Sequence, residues 1–298
     1  MSARELETLL AMLRQQGAAL LDAEPAEARA AFEEMMSQAP AAPDVKGEPV
    51  TVGGVPALRL TTSESEPSRT LIYLHGGAYV IGSSRAYQGL ASDLARAAGV
   101  TGLSLDYRLA PEHPFPAAVD DAVAAYKALL DEGRAPASIG VAGDSAGGGL
   151  AVAFLVAARR AGLPMPGAAL LISPWVDLAC TAETYVSKLA EDPALRREGL
   201  LAMAGRYLGK TPASEPLASP VHADLAGLPP MLIQVGSAEV LLDDSVRLAG
   251  RAGAAGVFTR LEIWPNMPHV WHGFAGMLGE GRRAVKVGGN FLGRRMKA

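Results

Sequence analysis

The stretch IGVAGDSAGGGLAVAFLVAARR, residues 139–160, decides the reading of this chain. Ser138 to Ala142 is a short apolar strand, and Ala146 to Ala161 is an Ala-rich apolar helix. Between them lies Gly143-Asp144-Ser145-Ala146-Gly147, a G-x-S-x-G pattern. Where a strand runs straight into a helix, this pattern presents a serine on a sharp, strained turn. Small neighbours let the backbone reverse without collision. The start of the helix then places partial positive charge beside the hydroxyl, where negative charge develops during attack. A bare G-x-S-x-G arises by chance, and a structural Gly-rich turn is the alternative. The flanking strand and helix favour Ser145 as a nucleophile.

Outward from this unit, apolar strands and helices alternate. Val50 to Val52 and Val55 to Leu60 flank Gly53-Gly54, a hairpin signal. Thr70 to Leu74, Val100 to Leu105, Ala168 to Ile172, Met231 to Val235 and Thr259 to Trp264 read as strands. Ala117 to Leu130 and Leu241 to Ala252 have helical spacing. Near-continuous apolar strands separated by helices imply an α/β fold, with a mostly parallel central sheet covered by helices on both faces. The stretch 177–228 interrupts the alternation as an inserted helical segment, with Arg197 to Leu208 its clearest helix.

The first 40 or so residues read as two helices. Ser2 and Glu5 form a capping-box pattern, Leu6, Leu9, Leu10 and Leu13 share one face, and Gly17 is the expected stop. Pro25 opens the second helix, with Phe32, Met35 and Met36 on its apolar side, and Pro40 and Pro43 end it. The pair is either a packed helical layer or a mobile cover over a site, where methionine supplies an adaptable surface.

Composition narrows the class. Of the 298 residues, 49% are hydrophobic and 19% charged, which excludes overall disorder. A net charge of −4 argues against a nucleic-acid partner held by bulk positive charge and against a polybasic membrane anchor. Cys180 is the single cysteine, so neither an intrachain disulfide nor a CxxC metal signature exists. No signal-peptide pattern opens the sequence, and no run approaches about 18 apolar residues. The expectation is a cytoplasmic protein without stable membrane insertion.

An acyl-transfer site needs three further parts. Backbone N–H groups aimed at the developing oxyanion are worth about 3 kcal/mol each. One is expected from Ala146, and the others from His75-Gly76-Gly77-Ala78, which follows the strand ending at Leu74. His75 itself reads as a loop-shaping hydrogen-bond partner. A base must take the serine proton, and in this chain order it comes last. His269 and His272 both follow the final strand, and His269 is nearer its end. An orienting carboxylate is expected after the strand ending at Val235-Gly236, where Glu239, Asp243 and Asp244 are available. Glu239 falls in the loop itself, whereas the two aspartates resemble first-turn helix residues.

HGGA at 75–78, DYRLAPEHPFPAA at 106–118, GDSAG at 143–147 and SPWVDL at 173–178 occur together and in this order. The combination resembles the bacterial hormone-sensitive lipase family of carboxylesterases over residues 45 to 290 or so, and implies the α/β-hydrolase fold. In that family the triad acid sits in a D/E-x-L motif, which Glu239-Val240-Leu241 matches, 30 residues before His269. His272-Gly273-Phe274 matches a His-Gly-Phe often found at the family's base, so His272 stays a second candidate. The resemblance implies Gly76 and Gly77 as oxyanion donors; Ala78 stands where the family commonly has a third glycine. It also implies a helical cap from residues 1–44 and the insertion at about 177–228, over a catalytic domain spanning 45–298. Asp106, Arg108, Pro111 and Glu112 read as structural, with their charges paired to one another or to backbone.

Together these features imply ester hydrolysis by acyl transfer, with Ser145, His269 and Glu239 as the triad and no metal or organic cofactor. Tyr79, Met36, Trp175 and Tyr207 are expected to line the pocket for a small-molecule ester, and a small capped pocket favours short acyl chains. An amidase, lactonase or arylformamidase would share this chemistry, and a non-catalytic ligand receptor could share the fold. An exposed edge strand near the C-terminus could pair two copies into a homodimer.

Overall fold

The computed structural model describes residues 3–37 and 41–297. Ser2 of the expected capping box and Pro40 of the expected helix stop lie outside them. In chain order the elements are α1 (Ala3–Asp22), α2 (Pro25–Ser37), β1 (Lys46–Val52), β2 (Val55–Thr61), β3 (Glu66–Leu74), α3 (Gln88–Ala98), β4 (Val100–Leu105) and α4 (Ala117–Asp131). They continue with β5 (Ile139–Asp144), α5 (Ala146–Arg160), β6 (Ala168–Ile172), α6 (Thr184–Ser187), α7 (Arg197–Leu208), β7 (Met231–Gly236), α8 (Leu242–Ala254), β8 (Thr259–Trp264) and α9 (Gly279–Arg295).

The eight strands form one sheet in the order β1-β2-β4-β3-β5-β6-β7-β8. β1 and β2 are an antiparallel hairpin, β2 runs antiparallel to β4, and β4, β3 and β5 through β8 run parallel. Every residue of β5, β6 and β7 is buried, as an apolar strand covered on both faces requires. β8 forms one edge and is only half-buried. The carboxyl ends of the central strands therefore open onto one rim of the sheet, where α/β folds place their ligands.

Three features depart from the sequence reading. Helix α1 continues through Gly17 to Asp22. An interior glycine costs about 1 kcal/mol against alanine, and packing offsets it. Leu6, Leu9 and Leu13 bury against Met267, Trp271, Leu278 and Ala284. Helices α3 and α9, which the sequence reading left out, pack along each other. The reason is close approach: a Cβ at Gly289 would collide with Ala97, and one at Gly293 would crowd the Ala98 carbonyl. Glycines that weaken α9 in isolation let it seat against α3. Finally, Arg108 and Glu112 are exposed and do not pair with each other, although Arg108 also donates to the Ala117 carbonyl at 3.4 Å. Arg108 binds Asp121 at 2.7 Å, Glu112 binds Arg29 of α2 at 2.7 Å, and Asp106 accepts hydrogen bonds from Ser84.

No helix among the described residues is long and apolar enough to cross a membrane.

Candidate active site

The turn between β5 and α5 puts Ser145 at φ 54°, ψ −123°, a strained region for a non-glycine residue. Tertiary bonds hold it there: Ser145 N–H donates to the Ile172 carbonyl at 2.8 Å, and its own carbonyl accepts from Trp175 N–H at 2.9 Å. Gly147 is required because a Cβ there would collide with the Leu74 carbonyl oxygen.

The loop after β3 meets this turn. Gly76 N–H donates to Asp144 Oδ1 at 2.9 Å, so it is committed and does not serve the oxyanion expected of it. Asp144 also accepts from Tyr73 Oη at 2.6 Å. Burial raises the Asp144 carboxyl to about 6, against the opposing effects of Tyr73, His269, Tyr87 and Gly76. Gly77 and Ala78 follow, Ala78 at φ 53°, and both line the cavity that contains Ser145. Among the described residues no hydrogen bond takes the N–H of Gly77 or Ala78. Ala146 opens α5, so its N–H has no partner within the helix. The free amides beside Ser145 are thus Gly77, Ala78 and Ala146. His75 is buried between Tyr107 and Tyr87 and donates from Nδ1 to the Gly76 carbonyl at 2.7 Å. Burial lowers its pKa to about 4, so it is a neutral brace for the loop.

Glu239 and His269 are in contact. His269 Nδ1 lies 2.7 Å from Glu239 Oε2. A carboxylate only accepts, so Nδ1 carries the proton and the neutral ring leaves Nε2 free to accept one. Glu239 is fully buried, and its Oε1 accepts from Ser173 Oγ at 2.8 Å and Gly236 N–H at 2.7 Å. Ser173 Oγ in turn accepts from Val270 N–H at 3.3 Å, bracing the residue after His269. Burial pushes the His269 pKa down, but Glu239, Asp192 and Asp144 outweigh it and the net shift is upward. His269 and Ser145 line the same cavity. No hydrogen bond joins them among the described residues.

The alternatives point elsewhere. His272 is buried and donates from Nε2 to Gln234 Oε1 at 3.0 Å, and burial lowers its pKa to about 3. Asp244 Oδ1 accepts from the N–H groups of Val176 and Asp177 at 3.0 Å, and Asp243 accepts from Thr184 N–H at 3.3 Å.

The cavity holds about 130 Å³. Its polar wall is Asp144, Ser145 and His269; Leu13, Leu20, Phe32, Met35 and Met36 of α1 and α2 face them, joined by Leu195, Leu200 and Phe274. Of the four expected pocket residues, only Met36 lines it. Tyr79 and Tyr207 are buried and stack in parallel at 3.8 Å, with Trp175 packed 6.4 Å from Tyr79. These rings pack against one another instead of facing the cavity. The apolar face predicted for α2 carried the signal for Phe32 and Met35. Among the described residues no cluster of three His, Cys, Asp or Glu side chains could hold a metal ion.

Comparison with known proteins identifies the family. Residues 71–273 match a family model described as the alpha/beta hydrolase fold. An acetyl-hydrolase of Streptomyces hygroscopicus is 52% identical over 246 residues, 83% of this chain and 82% of that protein. An esterase of Acinetobacter venetianus is 34% identical over 255 residues, 85% of this chain and 83% of that protein. A crystallised esterase of the bacterial hormone-sensitive lipase family superposes with a TM-score of 0.95 at 44% identity, over 100% of both chains. The chain belongs to the α/β-hydrolase family, within its bacterial hormone-sensitive lipase branch of carboxylesterases.

Proposed function

We propose that the protein hydrolyses short-chain acyl esters through a triad of Ser145, His269 and Glu239. Ser145 Oγ attacks the ester carbonyl carbon while His269 Nε2 takes its proton. Negative charge gathers on the former carbonyl oxygen, within reach of the N–H groups of Gly77, Ala78 and Ala146. Gly76 acts one step back, fixing the loop through Asp144. As the intermediate collapses, His269 returns the proton to the departing alcohol. Water then attacks the acyl-enzyme by the same route and releases the acid. Glu239 keeps the imidazole in the tautomer that can accept at Nε2 and stabilises the imidazolium.

The observation that carries this reading is the 2.7 Å Glu239–His269 contact beside the cavity that also contains the strained Ser145. Chain length follows from the same cavity. Its volume of about 130 Å³ is close to that of an engineered apolar void that admits benzene, which supports acyl chains of a few carbons. Among the described residues no lysine or arginine lines it, so a neutral acyl group is favoured. We read α1, α2 and the 177–228 segment as the cap. The test is a panel of p-nitrophenyl esters from acetyl to dodecanoyl, run beside matched anilides and lactones on wild type and Ser145→Ala. A maximum at short esters that vanishes in the variant is expected; preference for long chains, anilides or lactones, or activity retained in the variant, contradicts it.

A further inference from the structure

Val240, the residue that follows Glu239, is held at both its N–H and its carbonyl by the inserted segment. Asp192, in the loop between α6 and α7, accepts Val240 N–H on Oδ2 at 2.9 Å. Thr184 Oγ1 of α6 donates to the Val240 carbonyl at 2.7 Å. The other oxygen of Asp192 accepts the N–H groups of Ala194 at 2.9 Å and Leu195 at 2.8 Å. Ala194 and Leu195 both line the cavity. One side chain, only 9% exposed, thus links the cavity wall to the backbone of the acid.

We propose that Asp192 is a positioning residue: it fixes Glu239 and the Ala194–Leu195 wall as one unit, and its charge acts on His269. The inference rests on the triad reading above. Burial raises the Asp192 pKa above its ordinary value, while the charge of His269 and the three backbone donors work against that rise and favour the anionic form. The ionisable groups acting on His269 are Glu239 by hydrogen bond, Asp192 and Asp144 through their charges, and His272 from the following turn. Of these, only Asp192 comes from the inserted segment. A negative charge near the imidazole favours its protonated form, the form it takes as Ser145 attacks.

Asp192→Asn removes the charge and keeps the shape. The acid limb of kcat/KM reports His269 in the free enzyme. Loss of a nearby negative charge lowers that pKa, so the limb moves to lower pH, by roughly half a unit. Loosened placement of Glu239 lowers kcat about tenfold. A purely structural role would change melting temperature or KM and leave the limb in place. An unmoved limb with unchanged kcat in folded Asp192→Asn overturns the proposal. Should that variant not fold, Asp192→Glu carries the test: it keeps the charge and shifts the oxygens, so an unmoved limb with lower kcat is expected, and a moved limb or unchanged kcat contradicts it. Stoichiometric labelling of Ser145 by an organophosphonate in wild type separates the two levels. Without labelling the triad reading fails; with labelling and no response at Asp192, only this inference fails.

Discussion

The cavity has two walls of opposite character. On one side, each functional group has several partners. Glu239 accepts from His269, Ser173 and Gly236, Asp144 accepts from Tyr73 and Gly76, and Ser145 is pinned by backbone bonds to Ile172 and Trp175. On the other side, Leu13, Leu20, Phe32, Met35 and Met36 contribute only apolar contact. Of the two helices that carry them, α1 and α2, the second is tied to the body away from the cavity, where Arg29 donates to the Val80 and Ala110 carbonyls at 2.8 Å and pairs with Glu112, and Glu33 accepts from Ser83. Directional bonds fix atoms to a fraction of an ångström, which proton transfer needs. Apolar contact tolerates repacking at small cost. Changes on the polar wall should therefore alter the rate for every ester, and changes on the apolar wall should alter which ester is preferred.

The contrast can be broken by variants on each side. Ser145→Ala should lower kcat by up to about 10⁶-fold on all substrates alike, measured with p-nitrophenyl acetate. Glu239→Gln, which keeps size but removes the charge that orients His269, should lower kcat roughly 10⁴-fold with little change in KM. The pH profile sharpens the same wall. His269 must be neutral to accept the serine proton, and its pKa is raised above the ordinary 6.5. Activity should therefore fall as pH drops through a value above 6.5, and an acid limb below it would contradict the Glu239 contact. Across the cavity, Phe32→Ala should leave kcat on acetate within about threefold and shift the hexanoate-to-acetate ratio about tenfold toward the longer chain. A uniform loss on all esters would erase the distinction between the walls. Glu112→Ala should do least: it removes a partly exposed ion pair and leaves the Arg29 bonds to Val80 and Ala110, so a fall of about 1–3 °C in Tm is expected, with substrate preference unchanged.

Legibility in the sequence follows the same division. The strained turn at Ser145 was readable because its strand, small residues and helix are contiguous. Glu239 and His269 were readable because each follows a strand that ends on the same rim. The error at Gly76 came from a tertiary fact: letters in HGGA do not tell which amide Asp144 has taken. Tyr79, Trp175 and Tyr207 were misplaced for a related reason, since an aromatic near a motif lines a pocket or underpins it according to which neighbours arrive from distant segments. Helices α3 and α9 were left out although Leu90, Ala91, Leu94, Ala95 and Ala98 of α3 bury along one face; what no local pattern reveals is the close glycine-mediated contact between the two helices. Asp192 carries no motif at all, and only the folded chain brings it beside Val240.

The central claim is that Ser145 becomes acylated in a site completed by His269 and Glu239. Reaction with a slowly turned-over p-nitrophenyl ester, acid quench and peptide mass spectrometry measure this directly. The account predicts one acyl group per chain on Ser145, formed in a burst with stoichiometric nitrophenol and strongly slowed in Glu239→Gln. Turnover with no adduct, or an adduct on another residue, would contradict it.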